Sequence, residues 1–339
     1  VKSYHVNKGA GFAGLVLKEH AVPTPGPREV LVRIRANSLN QRELMVMQGT
    51  YPWPIRPDVI PVSDGAGVVA AIGPGVTRTQ PGARVACTVF PYWTDGPFKW
   101  EYAKQLGGSI DGMLTEYALL PEEGIVPIPD SLSFAEAATL PCAAVTAWNA
   151  VTWGRALQAG DTVLTMGSGG VSLFALQFSK LFGARVIATT SSDDKAERLR
   201  SLGADEVINY RTSPNWHELV RELTAGQGVD RVIEIGGAGT LEQSIKATAV
   251  GGQVSMVGWL ANTSSTINAS AFSGNFFTLR RIALGNRAHF LAMNRAISVH
   301  QLKPVIDREF PFEDARAAHQ YFAEQPHFGK VVISQSEHS

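Results

Sequence analysis

The sequence predicts an α/β protein in two dissimilar parts, a β-rich first part and a doubly wound second part suited to a nucleotide. Three observations carry that reading. Residues 161–210 run strand, glycine turn, helix, strand, helix, strand; residues 1–120 break into short stretches at Gly and Pro; and 339 residues exceed what one hydrophobic core usually serves.

The first part comes first in the chain. GLVLKEHAV reads as a strand, TPGPRE as a turn, and VLVRIRANSL alternates apolar and basic residues, which buries Val30, Val32 and Ile34 on one face. PVSDGAGVVAAIGPGVTRTQPGARVACTV is punctuated like short curved strands with tight corners, material for a barrel or sandwich. Phe90, Tyr92, Trp93, Phe98, Trp100 and Tyr102 then crowd a Gly/Pro-broken segment that serves either as a pocket wall or as a loop over the core. DGMLTEYALLP returns to a strand. IPDSLSFAEAATLPCAAVTAWNAVTW is a turn and then helix, with Ser133 and Glu136 spaced as a capping box.

In the second part, Thr162–Met166 is β-branched, Gly167, Gly169 and Gly170 make the turn, and Val171 to Leu181 carry helical apolar spacing. ARVIATT is a second buried strand, Lys195 to Ser201 a helix, and Asp205 to Asn209 a third strand. Bare amides at a helix N-terminus beside a strand end suit a pyrophosphate, because the N–H groups and the helix dipole both favour negative charge. Contacts are therefore expected from Gly167, Ser168, Gly169, Gly170 and Val171. Ser172 stands where G-x-G-x-x-G has its third glycine, and a small side chain still fits there. WHELVRELTAGQG, VDRVIEIGG, LEQSIKATAVGG and QVSMVG continue the alternation, and ligand contacts at strand C-terminal ends add Gly236 and Gly258. The tail holds an amphipathic helix, FLAMNRAISVHQLKP, a helix with an acidic first turn, PFEDARAAHQYF, and a final strand, GKVVIS.

Thirty basic and thirty acidic side chains balance, which gives no drive toward nucleic acid or an anionic membrane. Two cysteines build no disulfide framework. Lys2, His5, Asn7 and Lys8 interrupt any signal-like apolar stretch, and no run approaches a membrane span, so a cytoplasmic protein is expected.

The ordered set NSLNQRELMVMQGTYP, PVSDGAGVVAAIGPGVT, DGMLTEYALLP, TLPCAAVTAW, GSGGVSLFALQFSKLFGARVIATTSS, LGADEVINYR, FPFEDARAAHQY and FGKVVI resembles the medium-chain dehydrogenase/reductase superfamily over essentially the whole chain. The resemblance implies a GroES-like catalytic domain (1–125), a Rossmann cofactor domain (126–270), and a segment (271–339) that completes the sheet and returns to the catalytic domain. It also implies a nicotinamide in the cleft between them, hydride transfer, and a homodimer or homotetramer.

Zinc alcohol dehydrogenases of that superfamily place a cysteine where this sequence has Asn40, a histidine where it has Ser63, and a cysteine where it has Cys142. Asp64 matches the acid that accompanies the histidine. A catalytic zinc needs three protein ligands, and no histidine lies in 21–216, so no zinc is expected. The sequence is more similar to the zinc-independent quinone oxidoreductase and enone reductase branch. That likeness implies Asn40 and Tyr51 as cleft residues, where an amide and a phenol can donate to a developing oxyanion without a Lewis acid. Arg42, Trp53, Tyr92, Trp93 and Trp259 are expected around the substrate. Arg42 and Glu43 depart from the small or apolar character of this region and are expected to pair with each other or with Asp64.

Cofactor choice rests on charge. An NAD site has an acid at the end of the second strand, where this chain has Thr190, Ser191 and Ser192. Ser191, Lys195 and Tyr210 supply donors for a 2′-phosphate, and the last two match phosphate-binding residues of the quinone reductase branch. Asp193 and Asp194 oppose this if they turn inward. NADPH is expected over NADH, with Thr146 and Lys330 as further cofactor contacts on the resemblance. The leading expectation is reduction of a small-molecule quinone or α,β-unsaturated carbonyl. The alternatives are a zinc-independent alcohol or aldehyde dehydrogenase and a non-catalytic nucleotide-binding relative.

Overall fold

The structure, a computed structural model, describes residues 1–258, 266–324 and 327–335. Two compact units are present: Val1–Val145 with the segment from Asn286 onward, and Thr146–Gly285.

The chain opens with an antiparallel pair, β1 (Lys2–His5) and β2 (Val16–Glu19), followed by β3 (Glu29–Ser38) and α1 (Gln41–Gln48). Val30, Val32 and Ile34 are buried as the alternation predicts, but so are Leu31, Ala36, Asn37 and Ser38. The reason is that β3 is central, paired with three other strands. Next come β4 (Asp64–Ile72), β5 (Arg84–Cys87), β6 (Tyr117–Pro121) and β7 (Ile125–Pro127).

Helix α2 (Phe134–Ala138) starts at the expected capping box: Glu136 N–H donates to Ser133 Oγ at 3.1 Å, and Ser133 N–H donates to Glu136 Oε2 at 2.7 Å. The single helix read from sequence is interrupted. A π-helical turn at Leu140–Ala144 separates α2 from α3 (Val145–Thr152), and Pro141, which has no N–H to give, falls inside it. Residues 126–145, assigned from sequence to the cofactor half, run with the first unit.

The second unit holds β8 (Thr162–Met166), α4 (Gly170–Leu181), β9 (Arg185–Thr190), α5 (Asp193–Ser201), β10 (Glu206–Asn209), α6 (Trp216–Leu223), β11 (Val229–Glu234), α7 (Leu241–Ala247), β12 (Thr248–Met256) and β13 (Thr278–Arg281). Its six strands are all parallel and ordered β10-β9-β8-β11-β12-β13. The order reverses between β8 and β11, and in such sheets ligands gather beyond the strand C-termini at that point. β13, at the sheet edge with Leu279 39% exposed, lies in the segment beyond residue 270. The core combines Leu164, Ile187, Val232 and Val254 from the strands with Trp216, Val220 and Ile245 from the helices.

The chain then adds α8 (Arg287–His300), β14 (Ile306–Pro311), α9 (Ala315–Glu324) and β15 (Lys330–Ser334) to the first unit. β15 pairs antiparallel with β3, with Val332 opposite Ser38, and the sheet reads β14-β15-β3-β4-β5-β7 with β6 also on β3. This pairing sets Lys330 beside the start of α1. Among the described residues no helix is long and apolar enough to cross a membrane.

Candidate functional site

In the first unit the end of β3, the start of α1, the start of β4 and the start of β15 converge on one buried polar cluster. Asn40 occupies the N-cap position of α1, and its N–H donates to Glu43 Oε2 at 2.8 Å. Lys330 Nζ donates to Leu39 O and to Asn40 Oδ1, both at 2.6 Å, and stands 3.9 Å from Asp64 Oδ2. Two of the ammonium protons are thus hydrogen-bonded, and the charge faces the Asp64 carboxylate as an ion pair. Ser63 Oγ lies 2.9 Å from Asp64 Oδ1 and 3.2 Å from Glu43 Oε1, so its single proton serves one carboxylate at a time. The Cys142 N–H, carried by the π turn, reaches Asp64 Oδ2 at 3.4 Å.

Burial raises the Asp64 carboxyl to about 6; the Lys330 charge opposes the shift and the Glu43 charge adds to it. Desolvation likewise pushes the Cys142 thiol up, although part of the residue reaches solvent. Asn40 is 8% exposed; its Nδ2 stands 3.5 Å from Ser38 O, a long contact, and its amide also helps to hold the Asp64 carboxylate in its charged form.

Beside this cluster stands a less enclosed one. Arg42 pairs with Glu43 at 3.2 Å, as expected from sequence, and also donates to Leu106 O at 2.8 Å and Gln105 Oε1 at 2.9 Å. Desolvation works against its guanidinium, but Tyr51 and Glu43 offset that and its pKa is raised. The Tyr51 hydroxyl donates to Gln105 Oε1 at 2.6 Å, and the Arg42 guanidinium lies 5.2 Å from the Tyr51 ring centre. The sequence reading missed Gln105; nothing in AKQLGGS marks a glutamine that folds under Tyr51.

Of the expected substrate-pocket residues, Trp53 packs its ring at a tilt against Phe90, Phe98 and Trp100, with centroids 5.6–5.9 Å apart. Trp93 is 2% exposed and packs edge-on to Phe98, so its ring belongs to the core under the loop. Tyr92 faces outward beneath Lys104. Trp259 lies outside the described residues.

In the second unit Gly167 adopts φ 72°, and Gly169 is the N-cap of α4, where an added Cβ would meet nothing within 4 Å. Gly170 and Val171 open the helix, and Ser168 is buried in the turn before them. The helix runs twelve residues, long enough for its dipole to act on an anion. Ser172 fits the third glycine position for a specific reason: its hydroxyl donates to Met166 O at 2.6 Å and ties helix to strand.

Asn209 of β10 sits opposite Thr190 of β9, and Tyr210 N–H donates to Thr190 O at 2.9 Å. Thr190 Oγ1 is buried without a partner, Tyr210 is 41% exposed, and Ser191 is half-buried. Ser192 caps α5 by accepting from Lys195 N–H, which sets Lys195 on the first turn. Asp193 does not stand free to turn inward, since Asn209 Nδ2 donates to it at 2.9 Å.

Beyond β11, Glu234 accepts from Gly236 N–H, Gly237 N–H and Thr240 Oγ1, at 2.6, 3.0 and 2.7 Å, and from the Ser244 hydroxyl. This buried carboxylate shapes the turn that carries Gly236 and was not read from sequence. A side chain at Gly258 would stand 2.3 Å from Ile235 O, so glycine is needed there for packing. Thr146 is buried in α3. The orphaned Thr190 hydroxyl, the open Gly169 and the strand order fit a dinucleotide. Lys330, expected among the cofactor contacts, directs its ammonium into the first unit's own cluster. Among the described residues no group of three or more His, Cys, Asp and Glu is placed to hold a metal ion.

Known proteins agree with this division. The family described as "Alcohol dehydrogenase GroES-like domain" matches residues 26–130, and that described as "Zinc-binding dehydrogenase" matches 170–298. A "zinc-type alcohol dehydrogenase-like protein" of Schizosaccharomyces pombe is 41% identical over 332 residues, covering 96% of either chain. A quinone oxidoreductase of Pseudomonas aeruginosa is 31% identical over 94% of this chain and 95% of that one. A solved structure described as an NAD-dependent alcohol dehydrogenase matches with a TM-score of 0.90 and 35% identity, over 98% of this chain and 99% of that one. With both domain types matched and two of the three catalytic metal-ligand positions holding Asn40 and Ser63, the chain belongs to the medium-chain dehydrogenase/reductase superfamily, as an oxidoreductase of its zinc-independent, quinone and enone reductase-like branch.

Proposed function

We propose that this chain is an NADPH-dependent reductase of quinones or α,β-unsaturated carbonyls that works without a catalytic metal. The observation that carries the reading is the Lys330 cluster. At two positions where zinc relatives have ligands stand Asn40 and Ser63, and their polar atoms are engaged with Lys330, Glu43 and Asp64.

A bound nicotinamide supplies the hydride. The first unit's task is then to meet the charge that develops on the acceptor's oxygen with donors set in advance. Asn40 is oriented by Lys330, whose donors fix Oδ1 and so direct Nδ2 away from it. Tyr51 brings a phenolic O–H, and Trp53 brings an apolar ring face beside it in the chain. In the second unit Gly167 to Val171 receive the pyrophosphate, and Ser191, Lys195 and Tyr210 receive the 2′-phosphate. The tie between Asp193 and Asn209 supports this assignment by occupying the nearest carboxylate.

Alcohol or aldehyde oxidoreduction is a second reading, favoured by the names of two relatives at 35–41% identity. A homodimer or homotetramer accompanies either reading and is tested by light scattering. The deciding experiment is steady-state oxidation of NADPH and NADH with a quinone, an enone and a simple aldehyde side by side. Turnover of quinone or enone with NADPH is expected. Turnover confined to the aldehyde selects the second reading, and no turnover with any acceptor overturns both.

A further inference from the structure

Gln105 belongs to no motif, yet it is 1% exposed and touches both side chains of the less enclosed cluster. Counting protons fixes the arrangement. Arg42 Nε, a donor only, lies 3.4 Å from the Tyr51 oxygen, so the phenol accepts there and its own hydrogen goes to Gln105 Oε1 at 2.6 Å. Arg42 Nη2 gives a second proton to the same oxygen at 2.9 Å. Turning the amide over would set its two N–H donors against a guanidinium, so the orientation is unique. As a result Gln105 Nε2 stays buried without a partner, a cost the fold carries to keep Oε1 where it is.

The backbone around it is held as firmly. Gln105 N–H donates to Ser109 Oγ at 3.0 Å, Ile110 N–H donates to Gln105 O at 3.2 Å, and Gly107 turns with φ 63°. A Cβ at Gly108 would stand 3.0 Å from Gln105 Cγ and 3.1 Å from Arg42 Nη2, so glycine there makes room for the Gln105–Arg42 contact.

We propose that Gln105 is the positioning residue of this site: its amide oxygen orients the Tyr51 hydroxyl and the Arg42 guanidinium, and releases the hydroxyl to the acceptor's oxygen. The proposal rests on the reading of Tyr51 as a donor to that oxygen. A neutral amide suits the task. When the acceptor arrives, the phenol exchanges one neutral acceptor for another, and Gln105 Oε1 keeps Arg42 Nη2. A carboxylate would grip the hydroxyl through a charge-assisted bond, and an apolar side chain would leave it free to rotate.

Two measurements test this. In proton NMR, wild type is expected to show a slowly exchanging hydroxyl resonance that is missing from both Tyr51→Phe and Gln105→Met. Its absence from wild type, or its persistence unshifted in Gln105→Met, overturns the proposal whether or not any substrate is turned over. In kinetics, Tyr51→Phe should lower the enone kcat about 10-fold with a smaller change in KM. Gln105→Met should lower kcat about 3- to 10-fold in wild type but less than about 2-fold in the Tyr51→Phe background, because it acts through that hydroxyl. An equal factor in both backgrounds is the result of a packing role and overturns the proposal. Gly108→Ala, which presses on Gln105 without removing it, should repeat the pattern at smaller amplitude. If wild type reduces no quinone or enone, the proposed function falls and the NMR result still decides the role of Gln105.

Discussion

Around Lys330 the polar groups of the first unit are buried and satisfy one another; at the ends of β9 and β10, in the second unit, Tyr210 reaches solvent and the buried Thr190 hydroxyl has no partner. Lys330, Glu43, Asp64 and Ser63 are all 2% exposed or less. By contrast Tyr210 is 41% exposed, and the Thr190 hydroxyl has no partner. A closed network stiffens the fold and orients the one or two groups at its rim, here Asn40. An open one waits for a ligand. The two regions should therefore answer mutation differently, the first in stability and the second in affinity.

The largest effect is expected at Lys330. Lys330→Met removes the cation from a site with two buried carboxylates, and breaking such a set by deleting one partner costs about 3–5 kcal/mol. Denaturant unfolding at pH 7 measures it. The loss should shrink as the pH is lowered, because Asp64 can then neutralise itself by taking a proton. A change below about 1 kcal/mol, the scale of a surface pair, would place this cluster with the open one.

Asp64 gives the next effect, and its sign runs against the usual carboxylate. Its folded pKa of about 6 lies above the ordinary 3.8, so between those values the folded protein holds a proton that the unfolded chain has lost. Its contribution is thus fully present below pH 3.8 and is lost as the pH rises through about 6. The amplitude is on the order of 3 kcal/mol, from about 1.4 kcal/mol per pKa unit. Asp64→Asn should remove that slope, so the difference between the two stability-against-pH curves isolates it from the carboxylates whose pKa values are lowered. Parallel curves would show that the Asp64 proton does not couple to folding.

How much of this was legible in the sequence differs between the regions for a physical reason. The second unit is built from local signals: Gly167 needs its left-handed φ, Ser172 lies six residues from the carbonyl it bonds, and Ser192 caps the helix it begins. The Lys330 cluster is assembled across the chain, with 290 residues between Lys330 and Asn40, through the pairing of β15 with β3. No periodicity announces that pairing, so the sequence alone does not bring the lysine beside Asn40 and Asp64. The π turn at Leu140–Ala144 was hidden because its composition is that of an ordinary helix. Gln105 and Glu234 were missed because each serves a turn whose shape appears only after folding.

In the open region Lys195→Ala should weaken NADPH binding by roughly 1–3 kcal/mol, the range of a charge-assisted hydrogen bond, and leave NADH nearly unchanged. Titration of both cofactors measures it. Equal weakening of the two would assign Lys195 to the fold and remove the contrast between the regions at this residue.

The smallest effect sharpens the contrast most, because it changes no group expected to touch the cofactor. Asn209 Nδ2 donates to Asp193 Oδ1 at 2.9 Å, and Asn209 Oδ1 in turn accepts from Arg211 N–H at 3.1 Å, so the amide is fixed from both ends. Its hold on Asp193 matters only if a negative group binds nearby. In Asn209→Ala the carboxylate at the start of α5 is free to swing, and across an exposed surface its repulsion of a 2′-phosphate amounts to about 0.5–1 kcal/mol, a few-fold in Kd for NADPH. The helix dipole still favours Asp193 in the first turn, so α5 should remain folded. NADH, with a hydroxyl in place of the phosphate, should not respond, and the NADPH effect should fade as salt screens the charges. If the two cofactors weaken together, Asn209 supports the strand ends in general. If neither changes, Asp193 already points away without help, and the selectivity of this region rests on its donors alone.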